Sequence, residues 1–249
     1  MTNISIMDNK DYTNIILDIF QEICKIPHPS GQEEAIGDYL MAFAKAHGLK
    51  AKKDNVGNIL ICKAAAKGCE KSPTVILQAH QDMVCEKDAA LIHDFMKQPI
   101  QTYIEDGWLK AKGTTLGADD GIGMAMMLAV LADSTLKHGP IEALFTVSEE
   151  TGLTGASNLG DDMINGKMLI NLDSEDEGEI FIGCAGGIKS EIEFHYNAES
   201  IPENSFFLKI SVDRLHGGHS GDDIDKGYAN ANKILARFIY NTIDKYNLK

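Results

Sequence analysis

The 249-residue chain has little that would staple it, anchor it or give it positive charge. Its five cysteines, Cys24, Cys62, Cys69, Cys85 and Cys184, are odd in number and form no C-x-x-C pair. That argues against a disulfide framework or a structural zinc knuckle, and for reduced thiols in a cytoplasmic protein. Basic residues are outnumbered, 23 Lys and Arg against 37 Asp and Glu, which leaves a formal net charge of −14. The chain therefore lacks the basic face expected of a nucleic-acid binder or of a protein that docks on anionic lipid. The longest apolar run, Met124 to Ala132, is too short to span a bilayer. The opening stretch, MTNISIMDNKDYTN, has no basic start followed by an apolar segment, so no signal peptide is expected. Internal repeats and low-complexity linkers are also missing.

What remains is an ordinary globular composition, 44% apolar and 24% charged, in a chain long enough for one large or two smaller domains. The acid excess suits divalent cations, although most of it is expected on the solvated surface. Ile15, Ile16, Ile19, Phe20 and Ile23 recur at helical spacing and predict a helix over 12–24, ended by Pro27 and Pro29. Ser30 and Glu33 have the spacing of a capping box for a second helix that stops at Gly48. Asn55–Cys62, Thr74–Ala79, Ile141–Val147, Met168–Leu172 and Glu179–Gly183 read as strands, and Gly121–Ala132 as a buried helix. Asp88–Gly107 reads as irregular, with a weak strand signal around Trp108. The expected fold class is α/β, a mixed sheet flanked by helices and covered on both faces. From Ile188 the pattern changes to alternation through Ile192, Phe194 and Tyr196, followed by a strand at Ser205–Val212, the turn HGGHSG and a helix from Lys226 to Asp244. This predicts two domains, 1–186 and 187–249, the second the start of an α+β unit that is thin for independent stability.

Acids and a histidine follow four of these elements. His80 and Asp82 follow the strand 74–79, and Asp119 and Asp120 open a helix. Glu149 and Glu150 follow the strand 141–147, and Asp173 follows 168–172. Each alone is commonplace: a solvated strand end, a charge favoured by a helix dipole, a surface pair. Together they occupy equivalent positions, and in open α/β sheets ligands bind outside the carboxyl ends of the strands. Catalytic zinc takes imidazole nitrogen and carboxylate oxygen. A dinuclear centre needs a bridging carboxylate, and a further carboxylate must move the proton of water. The adjacent pair Glu149–Glu150 supplies one group for metal and one for the proton. Asp82, two positions from His80 on an extended strand, points the same way and suits the other imidazole nitrogen.

The stretches HQDMVCEK, GTTLGADDGIG, FTVSEETGLTGA, LINLDSED and GCAGG resemble, in order, the co-catalytic zinc aminoacylase and carboxypeptidase superfamily. They are most similar to its aminoacyl-histidine dipeptidase (Xaa-His dipeptidase) branch, and LHGGHSGDDI resembles that branch's lid domain. The resemblance runs from about residue 10 to 249. It implies a dinuclear zinc hydrolase of unblocked dipeptides, with manganese or cobalt able to replace zinc. Carried over by motif, His80 binds one ion and Asp82 orients it. Asp119 bridges, Asp173 completes the first ion, Glu150 binds the second and Glu149 is the general base. His219 matches a lid histidine that stabilises the developing oxyanion, often across a homodimer.

The family's catalytic domain is split around its lid, and the half beyond carries a further histidine ligand. The resemblance therefore implies an N-terminal portion with a partial lid. The remaining histidines, His28, His47, His93, His138, His195 and His216, lie in no matching motif. Such a chain is expected to bind zinc weakly and to show little or no dipeptidase activity on its own, its partners being a small dipeptide and either a second copy or the missing half. Two alternatives stand beside this reading: a non-catalytic metal-binding or assembly protein, and a related tripeptidase or N-deacylase.

Overall fold

The computed structural model describes residues 11–174, 176, 178–184, 186, 188, 190–218, 223–243 and 245–246. The chain divides into two compact units, Met1–Ile182 and Gly183–Lys249.

The first unit is an α/β sandwich. Helices α1 (Thr13–Ile23) and α2 (Glu34–Ala46) precede strands β1 (Lys50–Lys53), β2 (Ile59–Lys63) and β3 (Val75–His80). A hairpin follows, β4 (Thr102–Glu105) and β5 (Trp108–Ala111), then α3 (Ala118–Ala132), β6 (Ile141–Thr146), the single turn α4 (Thr154–Ser157) and β7 (Met168–Asn171). The main sheet has the order β1-β2-β6-β3-β7. β1 and β2 run antiparallel, as do β2 and β6, whereas β3 runs parallel to both β6 and β7. The mixed sheet flanked by helices is the one expected.

Strand alternation sorts the core into two layers. Ile59, Ile61, Ala79, Ala143 and Phe145 face one way and pack with Phe20, Ile23, Ile36, Leu40, Met124, Met127 and Leu128 of α1, α2 and α3. Leu60, Ile76 and Leu144 face the other way and meet Met163, with Leu159 and Ile164 beside it. Helical cover is thus concentrated on one face, and the segment after α4 covers the other.

Several expectations need correction. The strand read over 55–62 begins only at Ile59, because Asp54 Oδ1 accepts the amides of Val56, Gly57 and Asn58 and turns the chain there. The edge strand β1 was not expected, since its sequence KAKK carries no apolar alternation. The 88–107 stretch is not wholly irregular: Asp106 and Gly107, at φ 53° and 80°, make the two-residue turn of a hairpin. The capping box does not form, because α2 has Glu33 at its N-cap with no side-chain cap bond. The Ser30 hydroxyl donates instead to Asp82, and Glu33 accepts from Gly31 and Ser148.

Glu179–Gly183 is not a strand, nor is Ser205–Val212, nor the described part of 188–196. Ile182, Ile188, Phe194 and Phe207 are all at least 80% exposed. The alternation is real, but a strand needs a hydrogen-bonded neighbour and a covering layer, and the described residues around these stretches supply neither. Among the described residues of the second unit the regular elements are a 3₁₀ turn, Ile224–Lys226, and α5 (Ala231–Thr242), capped by Asn230 accepting from Lys233 N at 2.9 Å. The helix is shorter than the 226–244 expected because Gly227, at φ 71°, separates the two. No helix of the described residues is long and apolar enough to cross a membrane, and all five cysteines are unpaired.

Candidate metal centre

Parallel pairing delivers three strand ends to one edge. Ala79 lies opposite Phe145, His80 opposite Thr146 and Gln78 opposite Asn171. A polar row ties these ends together: Asn171 Nδ2 donates to Gln78 Oε1 at 2.6 Å, and Gln78 Nε2 donates to Thr146 Oγ1 at 3.2 Å. Gln81 fixes the exit of β3 by donating its backbone amide to the Thr146 carbonyl and its side chain to that of Phe145, at 2.7 and 2.8 Å. His80, the Glu149–Glu150 turn and Asp173 therefore stand on one rim, and α3 adds Asp119 and Asp120 from its first turn.

His80 is fully buried and has a partner on every side. Its Nδ1 lies 2.9 Å from the Asp82 carbonyl and 3.5 Å from Asp82 Oδ1. Its Nε2 lies 2.8 Å from Asp119 Oδ1 and 3.9 Å from Asp173 Oδ1. Donation from Nδ1 to Asp82 turns Nε2 toward the acids. Asp82 is itself held by the Ser30 hydroxyl at 2.7 Å and by the amides of Glu149 and Glu150 at 3.0 and 3.3 Å. Asp120, named with Asp119 among the helix-opening acids but given no role, is buried and accepts the His80 amide at 3.2 Å. Both it and Asp119 have non-helical backbone angles, and the peptide between them is cis. The only signal in the sequence was adjacency to Asp119.

Crowding shows in the acidities. Burial opposes a charged imidazole, yet hydrogen bonds to Asp119 and Asp82 carry His80 up to about 11. Burial would raise Asp82, but the bonds from His80, Ser30 and Glu149 bring it to about 2. Asp120 is raised to about 7 by burial and Asp173. Glu150 is raised to about 7 by burial and Asp119. Asp173 is raised to about 6 by burial, against the pull of His80, with Asp119 and Glu149 adding repulsion. Like-charged carboxylates packed this closely keep protons unless a cation neutralises them.

The donor set fits a divalent cation. His80, Asp119 and Asp173 offer ligand atoms within 4.8 Å of one another, and so do His80, Glu149 and Glu150. The two groups share His80. The structure thus brings together all four expected metal ligands, with Asp82 and Glu149 beside them. His219, expected as an oxyanion donor, lies outside the described residues. His195 is exposed near Glu193, and His216 packs on Tyr228.

Fold and cluster define a class: an α/β protein with a histidine–carboxylate metal-type centre at the carboxyl ends of parallel strands. Comparison with known proteins narrows it. The description "Peptidase family M20/M25/M40" matches residues 76–240, and the chain belongs to that family. It is 49% identical over 232 residues to cytosol non-specific dipeptidase of Escherichia coli K12, which spans 93% of this chain and 48% of the relative. The solved structure of aminoacylhistidine dipeptidase from Vibrio alginolyticus superposes with a TM-score of 0.69 at 41% identity, over 94% of this chain and 48% of the other. A tripeptidase from Staphylococcus aureus superposes with a TM-score of 0.56 at 26% identity, over 66% and 44%. The chain spans about half the length of these relatives.

Proposed function

We propose that this chain carries the metal-binding edge of a dipeptidase that hydrolyses the peptide bond of unblocked dipeptides, Xaa-His among them. His80, Asp119, Glu150 and Asp173 would hold two divalent cations, zinc in the first instance, with manganese or cobalt as substitutes. The observation that carries the reading is the position of His80, a buried imidazole at the joint of two acid groups. Its Nε2 faces Asp119 and Asp173, and Glu149 and Glu150 close the second group. When bound, such cations lower the pKa of water and polarise a carbonyl.

The remaining roles belong to side chains described above. Asp82 fixes the tautomer and orientation of His80. Glu149, beside Glu150 and crowded by its neighbours, takes the proton from the attacking water and returns it to the leaving amine. Burial of His80 and Asp82 keeps bulk water from the inner side of the rim. Units 1–186 and 187–249 are assigned as catalytic and lid domains, His219 as an oxyanion donor, and self-association as a role of the lid. The names of the two dipeptidase relatives support the substrate class, and the unpaired cysteines suit the cytoplasm.

Glu149→Gln tests the assignment in a form that turns over a dipeptide. Turnover should fall by roughly 10²–10⁴, the range for a lost general base, while metal stays bound. A variant that keeps the parent rate removes Glu149 from that role.

A further inference from the structure

The loop that carries Glu149 and Glu150 is held by groups remote in sequence. At its ends, Val147 donates its amide to Asn58 Oδ1 at 3.1 Å, and Asn58 Nδ2 donates to the Gly155 carbonyl at 2.9 Å. The Gly155 amide closes back on the Val147 carbonyl at 2.9 Å. Between these ends, Ser148 stands at φ 50°, a conformation that a residue with a side chain seldom keeps unless its surroundings impose it.

The group positioned to impose it is Glu33. Its Oε1 accepts both the amide and the hydroxyl of Ser148, each at 2.9 Å, and the amide of Gly31 at 2.9 Å. Glu33 is 9% exposed and 115 residues from Ser148. Bonds to a shielded carboxylate are stronger than those between neutral groups. The next two amides, of Glu149 and Glu150, meet Asp82. The direction in which the backbone leaves Ser148 therefore decides whether they reach Asp82, and where both carboxylates stand relative to His80.

We propose that Glu33 is a positioning residue for the Glu149–Glu150 pair: by clamping Ser148 in the left-handed conformation it sets the second acid group against His80. The consequence for metal affinity rests on the reading under Proposed function, whereas the clamp itself does not. The S-x-x-E spacing that suggests a helix cap serves this purpose instead.

The test compares the 249-residue chain with Glu33→Ala and Glu33→Gln, by amide hydrogen exchange without metal and by cobalt(II) titration. In Glu33→Ala the amides of Ser148, Glu149 and Glu150 should exchange about tenfold faster or more, and cobalt affinity should fall by a similar factor, as for a lost charge-assisted hydrogen bond. Glu33→Gln keeps the acceptor oxygen but not its charge and should fall between the parent and Glu33→Ala on both readouts. Should Glu33→Ala fail to fold, Glu33→Asp, which keeps the charge but withdraws the oxygen by one methylene, should show the same localised acceleration. Unchanged exchange at 148–150, or acceleration spread evenly over the sheet and α2, overturns the clamp. Localised acceleration with cobalt affinity unchanged overturns the link to the metal group. A parent chain that takes up no cobalt overturns the metal reading, and the exchange arm then decides the role of Glu33 alone.

Discussion

The two units of this chain carry the same kinds of sequence signal and reach different outcomes. In Met1–Ile182, apolar alternation becomes a five-stranded sheet with Ile59, Ile61, Ala143 and Phe145 fully buried. In Gly183–Lys249, alternation of similar quality leaves Phe194, Tyr196, Phe206 and Phe207 exposed, and α5, though amphipathic, buries no residue. Hydrophobic periodicity states which face wants cover. It becomes structure only where the chain supplies a neighbouring strand and a layer to pack on, as α1, α2 and α3 do for the first unit.

The largest expected effect comes from breaking the covered side. Phe145→Ala, at the centre of β6, should destabilise the chain by about 3–5 kcal/mol in denaturant titration. Phe194→Ala should stay within about 0.5 kcal/mol, since its ring is 80% exposed. Equal losses at both positions would mean that the second unit is as well packed as the first.

A smaller contrast is expected between two glycines. A Cβ at Gly155 would collide with Asn58 Oδ1 and the backbone of Val147, whereas one at Gly186 meets nothing within 4 Å. Gly155→Ala should cost about 1–3 kcal/mol and loosen the turn that holds both glutamates, while Gly186→Ala should be nearly neutral. The same denaturant titration checks both, and a neutral Gly155→Ala would show that the loop is not tightly closed.

A third contrast is a pH dependence confined to the first unit's rim. Asp120, Glu150 and Asp173 have folded-state values raised to about 7, about 7 and about 6. A raised carboxyl binds protons more tightly in the folded chain, so its contribution is full below about pH 4 and is lost as pH rises toward 7. Asp82, lowered to about 2, works in the opposite sense: its contribution is present above about pH 4 and is lost as pH falls through 2. His80, raised to about 11, contributes fully below its ordinary 6.5 and loses that contribution progressively as pH rises from there through 11. The melting temperature of the metal-free chain should therefore decline between about pH 4 and 7, and a divalent cation should remove the decline. A melting temperature that rises over that window would contradict the crowding at the rim.

Legibility in the sequence followed the range of the interactions. His80, Asp119, Glu150 and Asp173 could be picked out because each directly follows an apolar strand or opens a helix, and strand ends gather at one edge once the pairing is parallel. The hairpin at Asp106–Gly107 carried a local turn signal, but the stretch was read as irregular. Asp120 could not be singled out, because its burial and its bond to the His80 amide depend on how α3 meets β3. Glu33 was misread because a capping box and a long-range clamp on Ser148 share the same local spacing. β1 was missed because the pairing of Lys50–Lys53 with β2, not their composition, makes the strand. The strands expected after Gly183 have the right alternation and no described partner.

The most direct test of the central claim, that one buried histidine joins two acid groups into a divalent-cation site, is cobalt(II) or zinc(II) titration of the purified chain beside His80→Ala. Because both groups share His80, the account predicts saturable binding in the parent and its loss in the variant, while Asp173→Ala weakens binding without abolishing it. Binding that survives His80→Ala undiminished, or a folded parent that binds neither ion, would contradict it.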